Sequence, residues 1–339
     1  MNRRDALHTL LGTAAFVALN PRPLFAADLT SSGSSVAPAP TPVAAPGSVA
    51  ANAASAASPF DTAPIKIDVI VPDLRLLSGP GGNIVIYEGA DELTVIDAGV
   101  PSRASDILAA ISGLSSKPLR TLVNTHWHFD HVGANEAMAK AGARIYAQDN
   151  VRKRLSQTTR IEFFGKDVPP LPLVALPAVT FEEAMTLHPQ RMQITHVPPA
   201  HTDGDSFVLF PSLNVVHTGD LFFNGRFPFI DASTGGSIEG MIAAADRLLG
   251  QINAETKIIP GHGPLGKRED LIKFRDMLIA AREKIKPLFD AGKTVDEAVA
   301  AKPIEYLNDP WGKSGMVTSE MFTKVVYSCL KHSAPTAAH

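Results

Sequence analysis

The chain has 339 residues, of which 45% are hydrophobic and 19% charged, and this size allows a large buried core in one domain, with or without an appendage. The formal net charge is -3 and the basic residues are scattered, which excludes the basic footprint of a nucleic-acid-binding protein. Cys329 is the only cysteine, so an intramolecular disulfide and a cysteine-rich zinc site are excluded, and any metal must be held by histidine and carboxylate.

Residues 1–27 have the order of a secretory signal. Asn2-Arg3-Arg4-Asp5 precedes a mostly apolar stretch at 10–19, and small residues follow around Ala26-Ala27. The paired arginines favour the twin-arginine export route. The apolar stretch is too short for a stable membrane span. We therefore expect a periplasmic or secreted protein without a membrane span in its mature form.

Residues 28–61 are predicted to form a linker. The tract is nearly all Ala, Pro, Ser, Gly, Thr and Val, and such a composition buries too little apolar surface to offset the entropy of ordering it. A catalytic domain at 62–290 and a C-terminal helical extension at 291–339 are expected to follow. The sequence leaves open whether the extension packs on the core or forms a dimer surface.

The first half of the domain begins with strand patterns separated by glycine-rich turns, at 65–71, 83–87 and 93–97. A helix from Ser102 follows, and strands and helices then alternate at 119–123, 134–141, 143–147 and 149–157. The segment 161–177 contains four prolines with Phe163 and Phe164 and has little periodicity. It is predicted to be a structureless lid or binding loop, with the two phenylalanines as its apolar part.

The second half also begins with strands, at 179–181, 185–187, 193–197, 207–210 and 215–218. A helix at 237–252, a strand at 257–259 and helices at 267–289, 295–301 and 318–331 complete the chain. Because each half runs strands before helices, we predict an α/β fold of four layers. Two mixed sheets form an αββα sandwich flanked by helices, with extra helices at the C-terminus.

The richest motif is Asn124-Thr125-His126-Trp127-His128-Phe129-Asp130-His131-Val132-Gly133. It follows an apolar strand pattern, precedes a helical one, and carries four metal-competent side chains. In an extended chain His126, His128 and Asp130 share one face, whereas His131 points elsewhere. The segment can therefore serve two neighbouring ions. Trp127 and Phe129 alternate with these residues and are predicted to pack in the core.

Further candidates stand where other strands give way to loops: His201, Asp220 and His262. Ligand-bearing loops of a layered α/β domain gather along one sheet edge, so these residues are expected to meet the first motif. His196 and His217 lie within strand patterns and are predicted to be structural.

Over roughly residues 65–280 the chain resembles the metallo-β-lactamase-fold superfamily of metallohydrolases. The resemblance rests on Asp97 ending an early strand, the His-x-His-x-Asp-His run, His201, the Gly219-Asp220 pair and the Pro-Gly-His-Gly loop. It implies two Zn²⁺ per chain, with Fe or Mn as alternatives that accept similar donors. By resemblance one ion is held by His126, His128 and His201, the other by Asp130, His131 and His262, with Asp220 bridging both and Asp97 orienting the motif loop.

The implied chemistry is hydrolysis. Coordination lowers the pKa of water from about 15.7 toward about 7, and the resulting metal-bound hydroxide attacks an acyl carbonyl. Asp130 would orient this nucleophile and move its proton, and Asp220 would hold the two ions together. The resemblance therefore predicts a small-molecule substrate: an ester, thioester, lactone or amide.

Other activities remain open at this stage. One group of true β-lactamases has Arg in place of His131 and Cys in place of Asp220, so β-lactam hydrolysis is an alternative rather than the first expectation. A mononuclear-iron sulfur dioxygenase is another alternative, because it uses part of this ligand set. Relatives with a di-iron redox centre carry a carboxylate in place of His128, which favours hydrolysis here. The segment after the bridging aspartate is predicted to line the substrate pocket through Phe222, Asn224 and Arg226, the last meeting a carboxylate bidentately.

Overall fold

Two mixed β-sheets frame the molecule. The computed structural model describes residues 58–187 and 192–333, so the predicted signal segment and most of the predicted linker lie outside the described residues. The first sheet has the strand order β1-β2-β3-β4-β5-β6-β9 and the second the order β10-β11-β12-β13-β14. A hairpin of β7 and β8 stands apart from both.

The first sheet is antiparallel from β1 to β4 and parallel from β4 through β5 and β6 to β9. In the second, only the β13–β14 pair is parallel among the described strands. The strands are β1 Lys66–Val71, β2 Leu74–Gly79, β3 Gly81–Glu88, β4 Leu93–Ile96, β5 Leu119–Val123, β6 Arg144–Gln148, β7 Thr159–Ile161, β8 Lys166–Val168, β9 Val179–Phe181, β10 Ala184–Leu187, β11 Met192–His196, β12 Ser206–Phe210, β13 Val215–His217 and β14 Lys257–Ile259.

Helices cover the outer faces of the sheets. They are α1 Pro59–Thr62, α2 Ala104–Leu114, α3 Phe129–Val132, α4 Asn135–Lys140, α5 Asp149–Leu155, α6 Ile238–Leu249, α7 Arg268–Asp290, α8 Val295–Ala300, α9 Asn308–Trp311 and α10 Ser319–Ser333. None of the helices in the described ranges is both long and apolar enough to cross a bilayer.

The side chains of strand β3 pack on both faces of the first sheet. Successive side chains of a strand point to opposite faces. Val85 and Tyr87 pack in the apolar layer between the sheets, with Phe210 of β12, whereas Ile84 and Ile86 pack on the outer side in a cluster that includes Ile107 and Ile111 of α2. Because both faces are covered, the strand reads as a continuous apolar run. The four-layer α/β prediction is confirmed.

Several details of the sequence prediction were wrong. Strand β2 was missed, because only Pro72 and Asp73 separate it from β1. The segment 179–181 is predicted as the first strand of the second half, but it pairs in parallel with β6 and so completes the first sheet. The segment 161–177 is not structureless, since β8 pairs with β7 around Gly165, whose φ of 60° suits a tight turn.

Two further corrections concern single residues and the start of the domain. Phe129 is 49% exposed, because it lies on the first turn of α3 rather than on an extended segment, whereas Trp127 is buried as predicted. The helix α1 occupies the last positions of the predicted linker. The Ser58 hydroxyl accepts a hydrogen bond from the Phe60 amide and the Asp61 carboxylate accepts one from the Ser58 amide, a reciprocal cap that stabilises this turn.

The C-terminal helices pack on the outer side of the second sheet. Helix α10 repeats apolar residues at helical spacing, Phe322, Val325, Val326 and Cys329, and all are buried in the same cluster as α6 and α7. The Phe322 ring stacks on that of Phe227, with ring centroids 4.8 Å apart. The apolar face of α10 is therefore part of the core.

We expect the Phe322→Ala variant to lose about 3–5 kcal/mol of unfolding free energy, because the substitution leaves a cavity in a fully buried cluster. Urea unfolding followed by circular dichroism measures the loss. Tyr306→Ala, at a position 59% exposed in the same extension, is the control and should change the value by less than about 0.5 kcal/mol. Equal stabilities of the two variants would show that α10 does not unfold with the core.

Candidate metal centre

Two groups of metal-competent side chains lie side by side. The first contains His126, His128, His201 and Asp220, and the second contains Asp130, His131 and His262. Within each group the candidate ligand atoms lie within 4.8 Å of one another. All of these residues are buried except His262, which is partly exposed.

Strand ends place the side chains. His126 and His128 follow β5, and the short helix α3 then carries Asp130 and His131. Asp220 follows β13 and His262 follows β14. Strands β13 and β14 are parallel, so their carboxyl ends meet at one edge of the sheet, which brings these last two residues together.

In the first group, His201 Nε2 lies 2.8 Å from His128 Nδ1. Asp220 Oδ2 lies 3.3 Å from His201 Nε2 and 3.7 Å from His126 Nε2. The three imidazoles and one carboxylate oxygen thus converge on one point.

In the second group, His262 Nε2 lies 3.2 Å from Asp130 Oδ2 and 3.3 Å from His131 Nε2. The other oxygen of Asp220, Oδ1, lies 3.1 Å from His131 Nε2 and 3.5 Å from His262 Nε2. Asp220 is therefore shared: each of its oxygens faces a different group.

Hydrogen bonds from outside fix which ring nitrogen faces the centre. Asp97 accepts a hydrogen bond from His131 Nδ1 at 2.7 Å, and the backbone carbonyl of Phe229 accepts one from His201 Nδ1 at 2.8 Å. Asp231 accepts from His128 Nε2 at 3.3 Å. Each of these rings therefore directs its other nitrogen at the centre. Such outer partners are typical of metal-binding histidines.

Thr125 completes this outer layer. Its amide and hydroxyl both donate to Asp97, each at 2.8 Å, so its hydroxyl oxygen can accept from His126 Nδ1 at 3.0 Å. Asp97 itself has a φ of 64°, an unusual value for a residue other than glycine. The buried His217 lies 3.5 Å from the same carboxylate and donates to the Ile259 carbonyl at 3.1 Å. Asp97 thus contacts both the motif loop and His131, and its orienting role and the structural role of His217 stay predictions.

The His201 loop has its own anchor. The Asp205 carboxylate accepts hydrogen bonds from the amides of His201 and Thr202, at 2.6 Å and 2.9 Å, and from the Thr202 hydroxyl. Burial raises the pKa of Asp205 to about 7, against the opposing effect of these hydrogen bonds. His196, predicted to be structural, contacts the Asp205 carbonyl oxygen through Nδ1 at 2.8 Å.

Two glycines allow the approach to Asp220. Gly219 has a φ of 50°, and a side chain there would collide with Thr125. At Gly261, a β-carbon would overlap Asp220 Oδ1. Glycine is needed at 261 because its backbone passes so close to the shared carboxylate, and at 219 because of the positive φ and the adjacent Thr125 side chain.

The electrostatics also fit cations. Burial acts to raise the pKa of Asp220, but the imidazoles of His262 and His131 outweigh it and hold the pKa well below its usual range. Burial acts to lower the pKa of His131, but Asp220, Asp130 and Asp97 raise it well above its ordinary value. A buried set of carboxylates that holds protons on nearby imidazoles can bind a metal cation in place of those protons.

Unsatisfied buried atoms support the same fit. His126 Nε2 and Asp220 Oδ1 are buried and make no hydrogen bond within the described part of the chain. Buried polar atoms in proteins are nearly always satisfied, so a bound cation would give His126 Nε2 the partner it lacks and would add one to the ion-pair contacts of Asp220 Oδ1. The donors are imidazole nitrogen and carboxylate oxygen, a set that suits zinc and that iron or manganese also accepts.

The predicted pocket residues divide into two sets. Phe222 is fully buried and packs on Phe274, with ring centroids 5.3 Å apart, so its predicted place in the substrate pocket is wrong. The ring of Phe222 points into the core, whereas the ring of the following residue, Phe223, lies beside His262. Asn224 donates to the Pro264 carbonyl at 3.0 Å and thereby braces the loop that carries His262.

Arg226, Phe163 and Phe164 remain candidates for the pocket. Arg226 is partly buried, and its Nε has no hydrogen-bond partner among the described residues. Burial lowers its pKa, an effect opposed by Asp220. Phe163 and Phe164 pack on Phe229, at centroid distances of 5.5 Å and 4.9 Å. Phe229 lies beside His128 and His201.

Sequence reasoning missed Asp231, Thr125, Phe229 and Phe60 as residues around the centre. Thr125 lies inside the quoted motif, and its hydroxyl next to a histidine was an available signal. Asp231 has no neighbouring motif. It reaches His128 from a loop 103 positions away in the chain, which only the fold reveals.

Comparison with known proteins agrees with this geometry. The model of the metallo-beta-lactamase superfamily matches residues 77–262. The chain belongs to this superfamily. The match runs from the end of β2 to His262, so it includes every candidate metal ligand, while α1 and the C-terminal helices lie outside it.

Similar proteins include metallo-hydrolases. A probable metallo-hydrolase of Methanocaldococcus jannaschii is 26% identical over 51% of this chain and 84% of its own length. A hydroxyacylglutathione hydrolase of Haemophilus influenzae is 28% identical over 53% and 84%. A hydroxyacylglutathione hydrolase-like protein of Gallus gallus is 27% identical over 53%, and the match spans 56% of that relative. The prediction of a metal-dependent hydrolase is confirmed at this level.

Solved structures show the same fold. The DIM-1 metallo-beta-lactamase matches 64% of this chain and 98% of its own, with a TM-score of 0.53 and 16% identity. A metallo-beta-lactamase from Pontibacter korlensis matches 64% and 99%, with a TM-score of 0.53 and 18% identity.

We expect Asp231→Asn to weaken metal binding by about 10–100-fold, because the amide no longer orients His128 with a negative charge. Competition with a chromogenic chelator measures the affinity. Asp276→Asn is the control, since this side chain is 57% exposed on α7 and lies outside the centre. An affinity equal to that of the control would contradict the role assigned to Asp231.

Proposed function

We propose that the protein is an exported dinuclear zinc hydrolase that cleaves an acyl carbonyl compound, namely an ester, thioester, lactone or amide. The observation that carries the proposal is the position of Asp220, whose two oxygens face separate groups of imidazoles. A carboxylate in this position suits a bridge between two ions. The Asp130–His131–His262 group supplies the second half of the centre.

The ions, when bound, would lower the pKa of a coordinated water and polarise a carbonyl oxygen. The side chains of the protein would bind the ions and orient the ligands. His126, His128 and His201 would hold one ion, and Asp130, His131 and His262 the other. Asp97, Asp231 and Thr125 keep one nitrogen of the His131, His128 and His126 rings directed at the centre, so that little reorganisation of these rings would be needed when the ions bind.

Asp130 is the proposed proton carrier. Its carboxylate faces His262 at 3.2 Å and His131 at 3.7 Å. Burial acts to raise its pKa, but His131 and His262 lower it to about 2, so the group is ionised at neutral pH. An ionised carboxylate at the rim of the centre can accept the proton of the attacking water and return it to the leaving group.

Export is proposed from the N-terminal sequence. The paired arginines, the apolar stretch and the small residues of 1–27 support a twin-arginine signal. This route carries folded proteins, which suits an enzyme that acquires its metal before export.

Two other activities are weaker candidates. The solved structures with this fold include metallo-beta-lactamases, so β-lactam hydrolysis is a second candidate for the same centre. A mononuclear-iron sulfur dioxygenase needs only part of the ligand set. The second group of residues beside Asp220 favours a dinuclear centre over that alternative.

We expect Asp220→Ala to lower metal content and turnover together, turnover by at least about 100-fold, because loss of an outer partner alone costs about 10–100-fold. Elemental analysis of the purified protein and initial rates measure the two effects. Asp246→Ala, at a side chain 56% exposed on α6, is the matched control. Full metal content in the Asp220 variant would contradict the bridging role.

A substrate panel tests the reaction class. We expect wild-type protein with two zincs per chain to hydrolyse a nitrophenyl ester, a lactone or an acyl thioester, to lose activity after chelation and to regain it with Zn²⁺. A nitrocefin-type lactam belongs in the same panel. One iron per chain together with oxygen consumption would contradict the hydrolase proposal and support the sulfur dioxygenase.

A further inference from the structure

The ring of Phe60 contacts the candidate metal centre from outside the superfamily match. It stacks on His262 with centroids 6.2 Å apart and ring planes inclined by 27°. Phe223 lies beside the same imidazole at 5.2 Å and 21°. His262 is the most exposed candidate ligand, with 12% of its side chain accessible. Two apolar rings therefore flank the most exposed of the candidate ligands.

Phe60 is held in place although α1 has only one turn. Arg103 Nη1 donates to the carbonyl oxygens of Phe60 and Ala63, at 3.0 Å and 2.8 Å. The Arg103 side chain is 12% exposed and is itself fixed by Asp106 at 2.7 Å. On the other side of the turn, Ser102 donates to Asp61 at 2.5 Å. These contacts tie α1 to the start of α2 and fix the position of the ring.

A second aromatic group flanks the other end of the centre. The imidazoles form a row in which His128 adjoins His201 at 4.6 Å and His131 adjoins His262 at 5.3 Å between ring centroids. Phe229 lies 5.9 Å from the His128 ring, and Phe164, which is 56% exposed, packs on Phe229. Apolar rings thus stand at both ends of the row.

We propose that Phe60 is a specificity-determining residue of the hydrolase site. Its ring forms the apolar wall at the His262 end and selects substrates whose substituent on that side of the scissile bond is aromatic or branched alkyl. Phe164 acts in the same way at the His128 end. The substrate class is therefore an acyl compound with apolar groups on both sides of the carbonyl carbon–heteroatom bond. This inference rests on the proposed function.

The physical reason is burial of apolar surface. A substituent that leaves water to pack on a fixed ring gains binding free energy in proportion to the area covered. Removing the ring therefore penalises large apolar substituents more than small ones. Differences of this kind in a hydrophobic pocket change kcat/KM by about 10–200-fold.

The experiment uses full-length zinc-loaded protein and two ester series. One series varies the acyl group from acetyl to phenylacetyl with a constant nitrophenyl leaving group. The other varies the leaving group from methyl to phenyl with a constant acyl group. We expect Phe60→Ala to lower kcat/KM about tenfold for the phenyl member of one series, mainly through KM, with a loss that shrinks as the substituent shrinks. Phe164→Ala should show the same dependence in the other series.

Three further variants sharpen the result. Phe60→Leu should retain most of the selectivity because it keeps an apolar surface. Arg103→Ala should reproduce the effect of Phe60→Ala, since it removes the contacts that hold α1. Tyr306→Ala, an exposed aromatic residue of the C-terminal extension, is the control for aromatic truncation.

Metal content separates a specificity role from a structural one. Two zincs per chain in Phe60→Ala, together with the size-dependent loss, would support the inference. Loss of metal, an equal loss for every ester, or no change would overturn it while leaving the proposed hydrolase in place. A wild-type protein that cleaves neither these esters nor the lactone and thioester would overturn both.

Discussion

The structure depends on one buried carboxylate placed between two groups of imidazoles. Asp220 faces His201 through one oxygen and His131 through the other, at 3.3 Å and 3.1 Å. A buried charge is costly unless it is paired, and here the pairing is divided between two directions. The backbone at position 261 can approach this carboxylate only because Gly261 carries no side chain. The sequences of the surrounding loops are therefore constrained by the space that this carboxylate needs as well as by the candidate ligands that the loops carry.

The two sheets each supply part of the centre. The first sheet delivers the motif loop after β5 and Asp97 after β4, and the second delivers Asp220 and His262. Contacts between the sheets hold these parts in register: Asn83 of β3 donates through its amide to the Gly261 carbonyl at 2.8 Å and through its side chain to the Pro260 carbonyl at 2.9 Å. On the other side, the Ser206 amide donates to the Thr125 carbonyl at 2.9 Å. Because each ligand group takes residues from both sheets, the packing of the sandwich brings together the members of each group.

The sequence was sufficient for the layers and for the convergence of the candidate ligands. Histidine and aspartate at strand ends are a local pattern, and strand ends meet wherever neighbouring strands are parallel. The sequence pattern gives wrong predictions at positions where tertiary contacts determine whether a side chain is buried. Phe129 is exposed although it alternates with buried residues, because the chain turns into α3 after His128. Phe222 is buried while its neighbour Phe223 faces His262, and a run of two phenylalanines gives no sign of which ring points inward. Asp231 and Phe60 reach the centre from distant segments without any motif.

Segments outside the superfamily match reach the site from two sides. At the N-terminal side, α1 brings Phe60 to His262. At the C-terminal side, the Phe227 amide donates to the Trp311 carbonyl at 2.9 Å and the Ser314 hydroxyl donates to the Gly225 carbonyl at 2.7 Å, so the extension holds the loop that follows Asp220 and carries Arg226. Every candidate metal ligand lies within the superfamily match, whereas α1 and the C-terminal helices lie outside it. Segments outside the superfamily match therefore shape part of the surroundings of the candidate centre, α1 through Phe60 and the C-terminal extension through the loop that carries Arg226.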